Sequence, residues 1–416
     1  MSGSMPPIAA TYEERIDFVV ELAKRLHLYG TTAQRLEGAV SGVAQRLQLD
    51  CEPWSSPTAL ILTFSDPLRP PGASNATRVI RVAPGENDLH RLSETDRIAE
   101  DVLASRIGLA AGRAAMAALD KPRGRAWVAM QVLGFGMAAA SVAGLLRLPW
   151  LDITVSASTG LLIGLLIHLA GKRPGFRDAT DAVAAVIAAS IAILVATFVA
   201  PLNQNTVIIA SLIVMLPGLA LTNAINELGS QHLVAGTARF AGAITTVLKL
   251  TVGVAIAMYL ANLLGFQPQV RAWRPQPNWV HWASLGLAAF SFAVLFRAGR
   301  RDFLLVMAAV VSGYLISRYG GLAWGSPAGI FLAALVMTAA GNAYARWWHR
   351  PGAIIRVPGI ILLVPGSASL RGLLNLVQQQ DASAGEIALI AVMNVLMALI
   401  AGLLFGNLLL PPRRNL

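Results

Sequence analysis

One cysteine in 416 residues, Cys51, excludes an intramolecular disulfide and leaves no thiolate cluster for a metal. Charge is scarce as well. Asp, Glu, Lys and Arg make up 13% of the chain, about half the share usual in a water-soluble domain. The acidity lies at one end, with 15 of the 22 acidic residues in Met1 to Asp120 and seven in the 296 positions that follow. HExxH, nucleophile-elbow and P-loop motifs are all missing, which argues against a metallohydrolase, a serine hydrolase and an ATP-driven pump. Glu13, Glu14, Asp17 and Glu21 interrupt the first thirty residues where a leader would need an apolar stretch, so no cleavable signal is expected.

What the chain has in excess is apolar surface, at 55% hydrophobic residues. From about residue 126 onward the apolar runs are long enough to cross a bilayer, and they read as ten spans. These are approximately 126–146, 151–170, 179–200, 206–226, 236–264, 279–297, 302–318, 326–347, 353–378 and 385–410. The fold class expected is therefore an α-helical polytopic membrane protein. The formal charge of +11 does not imply nucleic acid, because most of the excess lies in short breaks between spans and no recognition helix or zinc spacing accompanies it.

Lysine and arginine in those breaks set the orientation. One side holds Lys121, Arg123, Arg125, Lys172, Arg173, Arg177, Arg239, Arg297, Arg300, Arg301, Arg346, Arg350, Arg413 and Arg414; the other holds Arg147, Arg271, Arg274, Arg318 and Arg371. The richer side is the cytoplasmic one, which places both termini in the cytoplasm of a multi-pass cell (inner) membrane protein. Trp150, Trp273, Trp279, Trp282, Trp347 and Trp348 fall near span ends, where amphipathic rings favour the interface.

Residues 1–120 read as a small cytoplasmic α+β module. Thr11 to Leu28 and Thr31 to Leu49 carry helical apolar spacing, separated by Gly30. Pro53 to Ser65 and Thr77 to Val82 read as strands, with Pro70, Pro71, Gly72 and Asn75 as the turn between them. Ser93 or Thr95 caps a last helix running toward Ala118. His27 and His90 beside acidic residues invite a hydrolase reading, but a solvated helix surface explains them more simply. A regulatory or gating role for the module is preferred.

The membrane part divides into 121–270 and 271–416, five helices each. Leu212-Ile213-Val214-Met215-Leu216-Pro217-Gly218 resembles Ile360-Ile361-Leu362-Leu363-Val364-Pro365-Gly366, and each copy lies in the fourth helix of its set. Five is odd, so the two sets enter the membrane from opposite faces as inverted repeats, which predicts alternating access. Pro-Gly inside an apolar helix frees backbone groups that lipid cannot satisfy, and such breaks persist where they line a cavity. The candidate substrate site is accordingly Pro217, Gly218, Thr222, Asn223 and Asn226 with Pro365, Gly366, Ser367, Arg371 and Asn375, suited to a zwitterion. Arg371 reads equally well as an interfacial topology charge.

Ionisable groups within spans are costly and therefore suspect. Glu227 and Asp181 are the proton-coupling candidates, with Lys249, near the middle of span five, as their ion-pair partner. Asn342 and Asn394 read as helix-to-helix hydrogen-bonding groups, and Gly134, Gly136, Gly160 and Gly164 as close-packing faces.

In this order and spacing the chain resembles the threonine/serine exporter family of bacteria and fungi. The resemblance rests on Tyr29-Gly30-Thr31-Thr32-Ala33-Gln34-Arg35-Leu36-Glu37, Pro57-Thr58-Ala59-Leu60, Thr77-Arg78-Val79 with the Leu89-Arg91-Leu92 region, Leu216-Pro217-Gly218 and Val364-Pro365-Gly366-Ser367. It implies export of threonine and serine driven by protons; similar proteins split over two polypeptides imply a dicarboxylate exporter as the alternative. A membrane-anchored hydrolase and a passive channel are the further readings. The partners expected are the small-molecule substrate, protons and the bilayer. No cofactor, metal, catalytic residue or nucleic acid is expected, and a homo-oligomer is left open.

Overall fold

The computed structural model describes residues 10–67, 75–171, 174–271, 274–379 and 382–411. The expected Pro70-Pro71-Gly72 turn, Lys172, Arg173, Trp273, Arg413 and Arg414 lie outside them.

The N-terminal part opens with α1 (Tyr12–Leu28), started by a capping box in which Thr11 and Glu14 each bond the other's backbone. Next come α2 (Ala33–Arg46) and the strands β1 (Asp50–Ser56), β2 (Ala59–Ser65) and β3 (Ala76–Arg81). Pro53 to Ser65 is not one extended run. Pro57 and Thr58 turn the chain, so Ser56 faces Ala59 and Asp50 faces Ser65 in an antiparallel pair, with β3 on the other edge of β2. Alternation along β2 buries Leu60, Leu62 and Phe64 against α1 and α2, beside Phe18, Leu22, Leu26 and Leu36.

The last helical stretch also differs from expectation. It begins at α3 (Leu89–Leu103), because Asp88 rather than Ser93 or Thr95 accepts the N–H of Arg91 at 3.0 Å as its cap, and it restarts as α4 (Leu109–Ala118).

The membrane part comprises α5 (Arg125–Leu145), α6 (Trp150–Ala170), the short α7 (Pro174–Arg177), α8 (Thr180–Phe198), α9 (Gln204–Ser211), α10 (Gly218–Gly229) and α11 (Leu233–Leu263). It continues with α12 (Asn278–Leu295), α13 (Phe303–Trp324), α14 (Ser326–Trp348), α15 (Ala353–Ile360), α16 (Gly366–Gln379) and α17 (Ala382–Leu409). Eight of these, α5, α6, α8, α11, α12, α13, α14 and α17, are long and apolar enough to cross a membrane. The two remaining expected spans, the fourth and the ninth, are each broken in two. The chain is thus a polytopic helical membrane protein with one small sheet.

Close helix packing rests on small residues. A methyl group at Gly160 would lie 2.8 Å from Ala139 Cβ, and one at Gly136 would lie 3.0 Å from the Ala157 carbonyl, so α5 and α6 approach backbone to backbone. The same kinds of neighbour recur along the chain. Helix α8 packs on α11 as α14 packs on α17; α10 packs on α11 as α16 packs on α17; α11 also touches α16, and α17 touches α10. Trp150, Trp279, Trp282, Trp347 and Trp348 are exposed at helix ends.

Candidate functional site

A proline stands at each break. Pro217 and Pro365 have no N–H to give to a carbonyl four residues earlier, and regular helix ends before each, at Ser211 and at Ile360, whereas Pro358 is carried inside α15. Helix resumes at the glycine that follows: Leu221 N–H donates to the Pro217 carbonyl and Ser369 N–H to the Pro365 carbonyl, both at 2.9 Å. Hydroxyls repeat the pattern, with Thr222 Oγ1 donating to the Gly218 carbonyl at 3.1 Å and Ser369 Oγ to that of Pro365 at 2.9 Å.

The two restarts touch. A methyl group at Gly218 would lie 2.8 Å from Val364 Cγ2 and 2.9 Å from the Gly366 nitrogen, and one at Gly366 would lie 3.0 Å from Leu216 Cβ. Only glycine permits this approach. The N-termini of α10 and α16 therefore abut, and each brings unpaired N–H groups and the positive end of its dipole to the same place.

That place is in the wall of a cavity of about 1330 Å³, lined there by Gly218, Gly366, Ser367 and Arg371. Its wall is mostly apolar, with Gln131, His168 and Tyr314 as further polar groups. Glu86 and Asn87, from the segment before α3, line it too, and so does Arg297, which pairs with Glu86 at 2.7 Å. A helix-terminus pair and a guanidinium suit a carboxylate, and the broken segments carry carbonyls suited to a cation.

The other expected substrate residues lie off this wall. Pro217 and Pro365 shape the breaks without lining the cavity, Thr222 is buried against its own helix, and Asn223 and Asn226 stand elsewhere on α10. The side chain of Asn375 lies outside the described residues.

Glu227 is fully buried and grips Arg239: Nε donates to Oε2 at 2.9 Å and Nη2 to Oε1 at 3.0 Å. Oε1 also accepts the backbone N–H of Ala33, at the start of α2, at 3.0 Å. Nearby, His232 Nε2 lies 3.1 Å from Glu37 Oε2, while Arg35 donates to Asn342 Oδ1 at 3.3 Å. Asn342 in turn donates to Asn407 at 2.9 Å and to the Leu410 carbonyl at 2.8 Å, the helix-to-helix bonding expected of it. The stretch from Ala33 to Glu37 thus joins the α10–α11 corner to α14 and α17.

Lys249 meets Asp181, one of its two expected partners, and not Glu227. Gly253 packs on the first turns of α8, against Ala182 and Ala185, so Lys249 stands level with the start of α8. It donates to the Asp178 carbonyl at 3.0 Å and lies 3.8 Å from Asp181, away from the cavity wall. Helix α11 has 31 residues and extends beyond α8, which is why Lys249 reaches the start of α8 from the middle of its own helix.

Two family profiles match. One, described as a threonine/serine exporter, covers residues 17–261, and a second, described as Threonine/Serine exporter, ThrE, covers residues 282–409. The chain belongs to the threonine/serine exporter family. The first match runs unbroken across residue 120, so the N-terminal α+β part and the first membrane helices form one family unit rather than an added soluble module.

Curated relatives named pheromone-regulated membrane protein 10 include those of Pichia sorbitophila, 24% identical over 386 residues, and Zygosaccharomyces rouxii, 25% identical over 377. Each alignment takes in 88% of this chain and 38% of the relative, so the chain spans well under half of those proteins. A third, from Eremothecium gossypii, is 24% identical over 384 residues, covering 88% of the chain and 50% of the relative. No solved structure matches.

For this family member, sequence reasoning passed over Glu86, Asn87, Gln131, His168 and Tyr314. Gln131 and His168 carried a signal, since polar groups within apolar spans are functional suspects. Glu86 and Asn87 carried none, because only the docking of the N-terminal part brings them to the cavity. Among the described residues no group of three or more His, Cys, Asp or Glu side chains is placed to hold a metal ion.

Proposed function

We propose that this chain is a secondary active exporter of threonine and serine, working by proton antiport and alternating access between two inverted five-helix repeats. The observation that carries the reading is the meeting of the Gly218 and Gly366 breaks in the wall of the large cavity. The recurrence of helix neighbours, α8 with α11 and α14 with α17, supports the repeat. In this reading the amino-acid carboxylate sits at the paired N-termini with Arg371, Ser367 meets the hydroxyl, and freed carbonyls of the breaks take the ammonium. Family membership supports the substrate class.

The N-terminal part, taken as cytoplasmic with both termini on the inner face of the cell membrane, acts as a gate. Its support is the contact of Glu86 and Asn87 with the cavity and of Ala33 with Glu227.

Counterflow of labelled threonine in proteoliposomes, with and without a pH gradient, tests the reading. Uphill accumulation with the gradient is expected, and equilibration alone would make the protein a channel. Arg371→Ala should weaken substrate affinity by roughly 10- to 100-fold, the worth of a charge-assisted hydrogen bond of about 1.5–3 kcal/mol. Two abutting helix N-termini beside an arginine also suit a dianion, so a dicarboxylate exporter is the second reading. Competition of threonine counterflow by succinate but not by serine would favour it.

A further inference from the structure

Asp152, in the first turn of α6, is fully buried. Its Oδ2 accepts the backbone N–H of Asn203 at 3.2 Å and the side-chain amide of the same residue at 2.7 Å, where α9 begins. Its Oδ1 has no hydrogen-bond donor. The hydroxyls of Ser156 and Thr159, four and seven residues on, are equally buried and equally without partners. Positions i, i+4 and i+7 share one face of a helix, so three unpartnered oxygens run in a line down α6.

Among the described residues no cation is paired with Asp152, although Arg271 follows the Val270 that bridges Leu202 beside Asn203. Helix α6 packs on α5, α8 and α9, and on α7 at the end opposite Asp152. The charged residue of α5 is Arg125 and that of α8 is Asp181, each at the opposite end of its helix, and α9 has no ionisable residue. On α6 itself, His168 lies in the last turn. Arg147, in the loop before α6, donates to the carbonyl of Gln276. An ionised carboxylate buried without a cation and with one oxygen unsatisfied is costly. Tethering Asn203 does not require that cost, because a neutral amide offers the same acceptor oxygen.

We propose that Asp152 is the proton-binding carboxylate of the transport cycle, with Ser156 and Thr159 as a hydrated track beside it. The proton adds to Oδ1 and leaves from it, with no other bond made or broken. When the proton is bound, the face between α6 and α9 stays closed; when it leaves, the unpaired charge favours a state in which that face meets water. Helix α9 leads directly into the Leu212–Pro217 break, so the charge on Asp152 biases the position of the substrate-side break. This inference rests on the proton-coupled reading above.

Asp152→Asn in proteoliposomes should abolish accumulation driven by a pH gradient and make threonine exchange insensitive to pH. Undiminished pH-driven accumulation in this variant would overturn the proposal. A second measurement needs no variant and no substrate: an apolar carbodiimide, which attacks protonated buried carboxyls, should label Asp152 in the intact protein increasingly as pH falls. Peptide mapping that finds Asp152 unlabelled at every pH sinks the assignment, as does wild-type accumulation that follows a sodium gradient instead. A wild type that exchanges neither threonine nor serine removes the exporter reading, while the labelling result still decides the proton site.

Discussion

The carboxylate of Glu227 closes the first turn of α2 by accepting the N–H of Ala33, 194 positions away in the chain. It does so while held by both arms of the Arg239 guanidinium. A residue at the end of a broken membrane helix is therefore also the cap of a helix in the N-terminal part, and one buried carboxylate joins α10 directly to α2.

Glu227→Gln should loosen this junction. Removing one partner of a fully buried pair costs about 3–5 kcal/mol, and the 21% exposure of the Arg239 side chain left behind makes the expected loss smaller than that. Faster hydrogen exchange at Ala33 to Leu36 and a lower unfolding temperature are expected. If exchange there stays at the wild-type rate, the junction contributes nothing to docking. Proton-linked flux, measured in the same variant, should fall without loss of the folded protein if Glu227 also takes part in coupling.

Gly218→Ala drives a methyl group into Val364 and the Gly366 backbone. Overpacking of this kind costs about 1–3 kcal/mol, which a folded membrane protein survives, but the two breaks must separate. The variant should be monodisperse and slightly less heat-stable, with counterflow reduced far more than stability. Wild-type counterflow in this variant would show that the contact between the breaks is not needed for transport.

His27 connects stability of the N-terminal part to pH. Its Nε2–H points at the carbonyls of Ala83, at 3.0 Å, and Pro57, at 3.2 Å, and burial lowers its pKa below the ordinary histidine value. The unfolded chain therefore binds more protons, and stability falls as pH drops through about 6.5, the unfolded value. Melting of the N-terminal part should begin earlier at pH 5.5 than at pH 7.5, and His27→Gln should flatten the difference. A steeper pH dependence in that variant would contradict the argument.

Cys51 should be a poor nucleophile. Burial beside Glu52 pushes its thiol up to about 12, so almost none is thiolate at neutral pH. Alkylation by iodoacetamide should be slow in the folded protein and become fast on denaturation. Rapid labelling of the native protein would mean that β1 is open in solution.

Much of this architecture was legible because it is local. Helix periodicity marked α1 and α2, and the length and apolarity of the spans marked α5, α6 and α8 within a few residues. The split of the fourth and ninth spans coincides with Pro217 and Pro365, whereas Pro358 is carried inside α15. The hairpin at Pro57 and Thr58 lies in the turn-forming stretch Ser55-Ser56-Pro57-Thr58, but alternation on either side does not say whether a strand turns back there. That Lys249 meets Asp181 rather than Glu227 was not legible, because the length of α11 says nothing about which of its turns meets α8.

The candidate site was legible only where it coincided with those local signals, at Gly218, Gly366, Ser367 and Arg371. Asp152 went unnoticed for the opposite reason. At the start of a span an aspartate looks like an ordinary interfacial charge, and its burial depends on Asn203 and α9 folding over it.

From the amino-acid order alone come the number and apolar character of the membrane segments and the two places where helix must stop. Each depends on hydrophobic length or on the missing N–H of a proline, which act within a turn or two of chain. Only tertiary structure decides that the two stops touch, that Glu227 answers Arg239 and Ala33 rather than Lys249, and that Glu86 reaches the cavity. Those pairings join residues far apart in sequence, and they are selected by how closely glycine-lined helices pack and by which buried charges find a partner when they do.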